Sequence, residues 1–353
     1  MVEVPVLQEQ KTGRFLFSDR LLVVLITPSQ KLILNILSDG QFHSGTELAK
    51  NIGISRSAIC KQLNNLTERG VKFSAISGKG YRLESILQLL SAESIESDLS
   101  STATSLITEL EIHDCIASTN SYLVSKSYET INSGFVCFAE SQTAGKGRRG
   151  REWVSPFGCN IYLSILWQFQ NGPASISGLS LAVGIAVIRA LNECGIDNVG
   201  LKWPNDIYWQ GKKLAGILIE VSGETSGPCN AVIGVGLNFY LPEDQAKSIT
   251  QDWVDLSSIV ADNPVKIRNK LAAVLLNHLM PMIANFEQDT LESYLAEWRH
   301  YDCMKGQDVN IYMGKQVFTG VVKGIDNDGM LLLANEHGEV QTFASGEVSF
   351  RQS

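Results

Sequence analysis

The chain lacks most of the patterns that settle a protein's class at once. Its seven cysteines, at 60, 115, 137, 159, 194, 229 and 303, form no C-x-x-C pair. That excludes a zinc ribbon, and the scattered spacing argues against a disulfide framework and for a reducing cytoplasm. The five histidines are dispersed and no H-E-x-x-H occurs. The longest early apolar run, Leu21–Ile26, is six residues, far below the ~20 of a membrane span. A basic start followed by an apolar stretch and a small-residue cleavage site is also missing, so secretion is not indicated. Proline is scarce, with 9 in 353 residues. Against these absences stand 44% hydrophobic and 19% charged residues, enough to build real cores and to exclude disordered and fibrous classes. Length suggests two or three domains, at roughly 100–200 residues each. Net charge is −8, which alone points away from nucleic acid.

That average hides an asymmetry. Residues 31–84 hold eight Lys/Arg (31, 50, 56, 61, 69, 72, 79, 82) against four Asp/Glu (39, 47, 68, 84), so the segment is +4 and the remainder −12. Lys31–Ser38 reads as a short helix. Ser44-Gly-Thr-Glu47 is a capping box opening a second helix through Leu48, Ala49 and Ile52. Ser55 caps a third helix running to Arg69, with Ile59, Leu63 and Leu66 on one core-facing stripe. Arg56, Ser57, Lys61, Gln62 and Asn64 lie mostly off that stripe, where they can reach base edges or phosphates. Residues 71–83 then alternate around Ser77-Gly-Lys79-Gly80, a hairpin carrying a lysine. Helix–turn–helix followed by a hairpin is the winged helix–turn–helix pattern. The alternative is a small protein-interaction domain with a solvated face.

A second basic run sits in the middle of the chain. Phe135–Glu140 reads as a buried strand feeding Ser141-Gln-Thr-Ala-Gly-Lys-Gly-Arg-Arg-Gly-Arg151. Gly145-x-Gly-x-x-Gly150 spells the dinucleotide fingerprint, but no helix opens there: an apolar strand, Asn160–Trp167, follows instead. A phosphate-binding P-loop fails too, because Arg151-Glu152 stands where Lys-Ser/Thr is required. Neither H-R-D nor D-F-G occurs, which excludes a protein kinase. What remains is a loop with four cations and three glycines, able to bring backbone N–H groups and guanidinium forks onto an anion and to fold over it. A solvated basic loop fits the same residues.

Lys202-Trp-Pro-Asn-Asp206 precedes a strand–turn–strand, 207–209 and 214–221. Gly216 interrupts an otherwise apolar strand, which marks the close approach of a backbone or ligand. Val232-Ile-Gly-Val-Gly-Leu-Asn238 repeats the device. Ser177–Cys194 is an apolar core helix, and the whole suggests α+β rather than a doubly wound parallel sheet.

Taken together, Gly145–Arg151, Lys202–Asp206, Lys213-Leu-Ala-Gly-Ile and Gly234-x-Gly-x-Asn238 resemble the biotin–protein ligases. With the winged domain in front, residues 31–353 resemble the bifunctional bacterial form that also represses the biotin operon. The resemblance implies a central mixed-sheet catalytic domain of the biotin-ligase, class II synthetase-like type and a C-terminal SH3-like β-barrel. It also implies ATP with Mg²⁺ and biotin as substrates, biotinyl-5′-AMP as intermediate, and a biotin carboxyl carrier protein as acceptor. Operator DNA, and a homodimer formed when biotinyl-AMP is bound, complete the implied partners.

The same resemblance assigns residues. Ser118, Thr119, Asn120, Gln142, Lys146, Gly147, Arg148, Lys213 and Gly216 are the implied biotin contacts; Arg148, Arg151, Asn238 and Trp253 are those of the nucleotide. Lys213, Arg148 and Asp206 are the catalytic candidates, Asp206 toward either a metal ion or the incoming amine. Lys146 stands where the family usually has Arg, which keeps the charge and loses the fork. No protein-held metal is expected, the ion being carried by phosphates. Arg56, Ser57, Lys61, Asn64 and Lys79 are the DNA candidates.

The last fifty residues alternate as short strands with turns at Asp326–Gly329 and Asn335–Gly338. A calcium loop starting at Asp326 would need Gly and Glu where Leu331 and His337 stand, so calcium is excluded. The expected organisation is an extension of no readable role (1–29), the winged domain (30–84), a mobile linker-helix region (85–104), the catalytic domain (105–302) and the barrel (303–353). Two rivals remain: a DNA-binding sensor of biotin without chemistry, and a lipoate-type ligase.

Overall fold

The computed structural model describes residues 14–16, 22–24, 26–84, 87–128, 133–224, 226–260 and 267–350. Most of the expected 1–29 extension lies outside them. Its described part is a short antiparallel pair, β1 (Arg14–Leu16) with β2 (Leu22–Val24), and residues 26–29.

The first helix, α1 (Pro28–Leu37), starts three residues before the expected position. Thr27 and Gln30 form a reciprocal capping box, Thr27 N donating to Gln30 Oε1 (2.8 Å) and Gln30 N to Thr27 Oγ1 (3.2 Å). Pro28 opens the helix instead of breaking it, because the first turn needs no N–H from it. In α2 (Gly45–Ile52) only half of the expected capping box forms. Ser44 Oγ accepts from Glu47 N at 3.1 Å, but the Glu47 carboxylate turns to His43 Nδ1 (3.1 Å). Ser55 caps α3 (Arg56–Thr67), which buries Ile59, Leu63 and Leu66. The wing, β3 (Phe73–Ile76) and β4 (Gly80–Leu83), is tied back to the start of α2 by paired backbone bonds between His43 and Tyr81. Gly80 has φ 104°, and a Cβ there would collide with the His43 carbonyl, so this contact demands glycine.

Residues 87–106 are not a mobile join. Two serines there are N-caps: Ser91 opens α4 (Ala92–Ser97) and Ser100 opens α5 (Ser101–Leu106). Ile95 and Ala103 are fully buried. Both helices pack on α8 (Arg268–Asp289), where Asn269 and Asn277 accept from Ser91 N (2.8 Å) and Ser100 N (2.7 Å).

The central sheet contains β5 (Glu109–His113), β6 (Phe135–Ala139), β7 (Ile161–Phe169), β8 (Val199–Lys202), β9 (Asp206–Trp209), β10 (Lys212–Gly223) and β11 (Cys229–Leu237). Their spatial order is β5-β6-β7-β11-β10-β9-β8. Only β5 and β6 run parallel; the other pairs are antiparallel, so the sheet is mixed. One face carries Ile165, Ile217, Ile233 and Val235 into the main core with α7 (Leu179–Glu193), α8 and α9 (Glu292–Tyr301). The apolar stretch ending in α7, Pro173–Glu193, is long and apolar enough to cross a membrane, yet 67% of its apolar window is buried inside the protein. It is the core helix. On the opposite face α6 (Thr119–Ser127) covers one end, Leu123 packing with Leu166 and Val232. The rest of that face floors a cleft.

Beyond α9, five antiparallel strands form a separate sheet: β12 (Asp308–Met313), β13 (Gln316–Ile325), β14 (Leu331–Ala334), β15 (Val340–Phe343) and β16 (Glu347–Phe350). Their order is β15-β14-β13-β12-β16, and the edge strands β15 and β16 do not pair, so the expected barrel is not closed by strand pairing. A register shift between Val322 and Gly324 interrupts β13, a bulge of the kind that bends a strand. The calcium-like Asp326 is spent on its own turn, its Oδ1 accepting from Asp328 N (2.9 Å) and Met330 N (2.8 Å).

Candidate active site and nucleic-acid surface

Strand register builds the site. Tyr162, Gly236, Gly216 and Asp206 stand side by side across β7, β11, β10 and β9, and Ser164, Gly234 and Leu218 form the next row. Side chains alternate along a strand, so both rows face the side away from the main core. Three glycines in two rows leave a trough, which forms the floor of an 860 Å³ cleft. The trough is not open backbone: the Trp153 indole lies in it. A Cβ on Gly216 would come within 3.0 Å of that ring, and one on Gly236 within 2.6 Å. The close approach expected at Gly216 is therefore this indole, with the Lys213 stem beside it.

At one end of the trough stand Ser118, Thr119 and Asn120, all buried, where the α6 N-terminus meets the sheet. Ser118 caps the helix. Gln142 Oε1 accepts from Thr119 N (2.9 Å), and its Nε2 donates to Ser155 Oγ (3.0 Å). Ser164 Oγ lies 2.7 Å from Thr119 Oγ1 and 2.6 Å from Asn120 Oδ1. Asn120 Nδ2 donates to Leu218 O (3.3 Å) and Glu220 Oε2 (3.0 Å). Gly234 is required here, because a Cβ would collide with the Asn120 amide.

The Gly145–Arg151 loop is a small hairpin, closed by Trp153 N to Gly145 O (2.9 Å) and Gly147 N to Arg151 O (2.7 Å). Arg149 sits at φ 57°, a left-handed conformation with a steric cost for a residue with a Cβ. All four cations have protein partners. Lys146 Nζ donates to Glu220 Oε1 (3.2 Å), Arg148 Nη1 to Asn205 Oδ1 (2.9 Å) and Arg149 Nη1 to Tyr312 O (3.2 Å), while Arg151 pairs with Glu347. Burial pulls the Arg148 guanidinium below the usual arginine range, and nearby Asp206 partly offsets it.

At the other end Lys213 Nζ stands 2.8 Å from Asp206 Oδ1 and 5.3 Å over the Trp153 ring. Lys213 N donates to Asp252 O and Val254 N to Lys213 O, both at 3.0 Å, which lays Trp253 alongside Lys213. Asn238 reinforces this join, its Nδ2 donating to Val254 O (3.2 Å) and Lys213 O (3.4 Å). Its amide nitrogen is thus turned onto backbone. Half-buried Trp253 presents to the cleft. Lys202 is buried, with Nζ donating to Tyr208 OH (2.9 Å) and lying over the Tyr208 and Phe350 rings; burial lowers its pKa, which Asp206 partly offsets.

Sequence reasoning assembled the loop, the Ser118–Asn120 triplet, Lys213, Asp206, Asn238 and Trp253, and all line this cleft. It missed Trp153, Ser164, Asn205 and Glu220 as partners. The alternation of β7 and β10 would have placed Ser164 and Glu220 on the face of the trough glycines; nothing local signalled Glu347, which arrives from another domain. On the winged domain, Arg56, Ser57, Lys61, Asn64 and Lys79 are exposed, and Gln62 is half-buried against α1.

A cation-rimmed cleft on a mixed sheet, joined to a helix–turn–helix, defines an anion-handling enzyme domain fused to a DNA-binding type of domain. Residues 112–238 match the Biotin/lipoate A/B protein ligase family, 306–351 the Biotin protein ligase C terminal domain and 29–82 an HTH domain. The chain is 40% identical over 323 residues to the Bifunctional ligase/repressor BirA of Salmonella typhimurium, covering 91% of this chain and 97% of that protein. The BirA of Escherichia coli K12 is 38% identical over 321 residues, with the same coverage. A solved biotin protein ligase from Aquifex aeolicus, in complex with biotin and ATP, aligns over 70% of this chain and 100% of its own, with TM-score 0.58 and 27% identity. The chain belongs to the biotin protein ligase family, in its bifunctional ligase and repressor form.

Proposed function

We infer that this protein activates biotin with ATP and passes it to a lysine of a biotin carboxyl carrier domain, and that it represses biotin-synthesis genes. The observation that carries the reading is the ordered cleft itself. A neutral hydrogen-bonding end (Ser118–Asn120, Gln142) is joined by an apolar trough to a cationic end (Lys213, Arg148) beside an indole (Trp253). Those three parts match an ureido ring, an alkyl chain with its carboxylate, and a nucleotide.

In the first step a biotin carboxylate oxygen bonds to the α-phosphorus of ATP, the bond to the β-phosphate oxygen breaks, and pyrophosphate leaves with that electron pair. Lys213, held by Asp206, supplies a fixed positive charge to the oxygens of that phosphorus, and Arg148 supplies a second. In the second step the carrier lysine nitrogen attacks the acyl carbon, AMP leaves, and the amine gives up a proton. Asp206 lies where it can orient that amine. Mg²⁺ enters with ATP as part of the substrate, held by phosphate oxygens. Ser118, Thr119, Asn120, Gln142, Lys146, Gly147 and Gly216 frame the biotin together with Arg148 and Lys213; Arg148, Arg151, Asn238 and Trp253 frame the nucleotide. The indole of Trp153 over the trough excludes water from the acyl phosphate.

In this reading Arg56, Ser57, Lys61 and Asn64 enter a major groove of operator DNA, and Lys79 reaches a flanking phosphate. One short helix makes few base contacts, so specificity calls for a two-fold dimer. The adenylate favours that dimer only by binding it more tightly, and dimerisation then tightens adenylate binding equally. The β13 bulge supports an SH3-like curl of the C-terminal sheet, and the scattered free cysteines suit a cytoplasmic protein.

The test is incubation with ATP, biotin and a carrier domain, followed by intact mass. A biotin-sized addition on one lysine is expected. A lipoyl addition in its place, from a mixture of both acids, would make the protein a lipoate-type ligase.

A further inference from the structure

We propose that Glu220 is a positioning residue that couples the biotin end of the cleft to the glycine-rich loop, an inference that rests on the biotin-ligase reading above. Glu220 lies on β10 two positions beyond Leu218 and four beyond Gly216, and so on the cleft face of the sheet. Its two carboxylate oxygens serve different masters. Oε2 accepts from Asn120 Nδ2 (3.0 Å), and Oε1 accepts from Lys146 Nζ (3.2 Å). One side chain thereby joins the helix-borne triplet and the loop, which are 26 residues apart in the chain.

The Asn120 amide is held from both its oxygen and its nitrogen. Its oxygen meets Ser164 Oγ, and its nitrogen donates to Leu218 O and Glu220. Gly234 closes off the remaining side, since a Cβ there would collide with the amide. Ser164 also meets Thr119 Oγ1, and Thr119 N donates to Gln142. The hydrogen-bond donors and acceptors facing the ureido end are thus set by one connected network, and Glu220 is where that network reaches the loop. Networks of this kind fix the orientation of their members.

The chemistry of the pair explains why a lysine serves at 146. An ammonium is a point charge that satisfies one carboxylate oxygen and leaves the other for Asn120. A guanidinium favours both oxygens at once in a forked pair. The side chains of Lys146 and Glu220 are 45% and 33% exposed, so the pair contributes little to global stability. Its effect is local: with the carboxylate in place, the loop lies against the same element that orients Asn120.

The experiment compares wild type, Glu220→Gln, Lys146→Ala, Lys146→Arg and the Glu220→Gln/Lys146→Ala double variant. The readouts are KM for biotin, KM for ATP, retention of the adenylate after gel filtration, and Tm. Glutamine can still accept from Asn120 through Oε1 but then turns an amide toward Lys146. Glu220→Gln is expected to raise biotin KM about tenfold and to shorten adenylate retention, with ATP KM and Tm unchanged. The double variant is expected to match Lys146→Ala alone, as required when two residues act through one contact, and Lys146→Arg is expected to raise biotin KM while keeping the loop paired, since its fork draws Glu220 off Asn120. Wild-type biotin KM and retention in Glu220→Gln would overturn the proposal, as would additive losses in the double variant or an equal rise in ATP KM. Wild type that forms no adenylate from biotin and ATP would instead overturn the underlying ligase reading, and the proposal with it.

Discussion

The cleft and the recognition helix both display basic side chains, and they hold them in opposite ways. Each cleft cation has a partner: Lys146 on Glu220, Arg148 on Asn205, Arg149 on a carbonyl, Arg151 on Glu347, Lys202 on Tyr208, Lys213 on Asp206. On α3 and the wing, Arg56, Lys61 and Lys79 are exposed and make no ion pair or side-chain hydrogen bond among the described residues. The difference follows from the work each surface does. A charge that must stabilise a transition state is useful only if it is already in place, because reorganisation during the reaction would cost what it contributes. A charge that meets a phosphate backbone acts by displacing counterions and works from a solvated, mobile side chain. In the proposed function the paired cleft cations serve the chemistry, and the exposed ones of α3 and the wing face a polyanion.

The sharpest way to break this comparison is Lys213→Ala. Loss of one preorganised charge at the reacting phosphate is expected to slow adenylate formation on the order of a hundredfold, about 3 kcal/mol. The fold should persist, since Lys213 joins Asp252 and Val254 through its backbone N and O. Single-turnover formation of adenylate measures it, and a near-wild-type rate would show that the Lys213–Asp206 pair is only structural.

A smaller effect is expected on the other surface. Lys61→Ala should weaken DNA binding about equally on operator and unrelated sequences and lower the slope of log affinity against log salt by about 1. Ligation should not change. Titration of DNA binding at several salt concentrations reads this, and a change confined to one base position would make Lys61 a base reader rather than a phosphate contact.

The elements that display the two surfaces were legible in the sequence, though the partners of the cleft cations were not, and the reasons are local. Helices with a serine cap and one apolar stripe, such as α3, declare themselves by spacing. Glycines inside an apolar strand, at 216, 234 and 236, announced a close approach on β10 and β11. What approaches could not be read, because Trp153 comes from a loop far away in the chain and only the sheet register brings it over them. The 22-residue helix α8 escaped notice, having little polar contrast between its faces and Pro281 in its interior. At 87–106 the expected helix is present as α4 and α5, but its attachment to α8 was not readable. The Ser-rich composition matches both a linker and a pair of capped short helices, and only the tertiary bonds to Asn269 and Asn277 decide. Partners drawn from another domain, such as Glu347 and Tyr312, leave no local signal at all.

The last and smallest prediction concerns His43, which belongs to the winged domain yet is held as tightly as a cleft cation. Its Nε2 lies 2.9 Å from Asp39 and its Nδ1 3.1 Å from Glu47. An imidazole can donate from both nitrogens only when protonated, so this geometry belongs to the charged form. Burial of the ring pulls its pKa down, but the bonds and charges of Asp39 and Glu47 outweigh it, and the net shift is upward. Asp39 is shifted the other way, below the usual aspartate range despite its own desolvation, by the Gln41 backbone and by His43; it stays ionised throughout neutral pH. A folded pKa above the unfolded value of about 6.5 contributes stability that is complete below that value and is lost as pH rises through the folded pKa. The full-length protein should therefore lose part of its Tm through this residue as pH rises above the ordinary histidine value of about 6.5. His43→Gln should flatten that part of the slope. Both carboxylates are about half exposed, so solvent screening keeps the effect small. Parallel Tm-against-pH curves for the two proteins would show that His43 is held neutral.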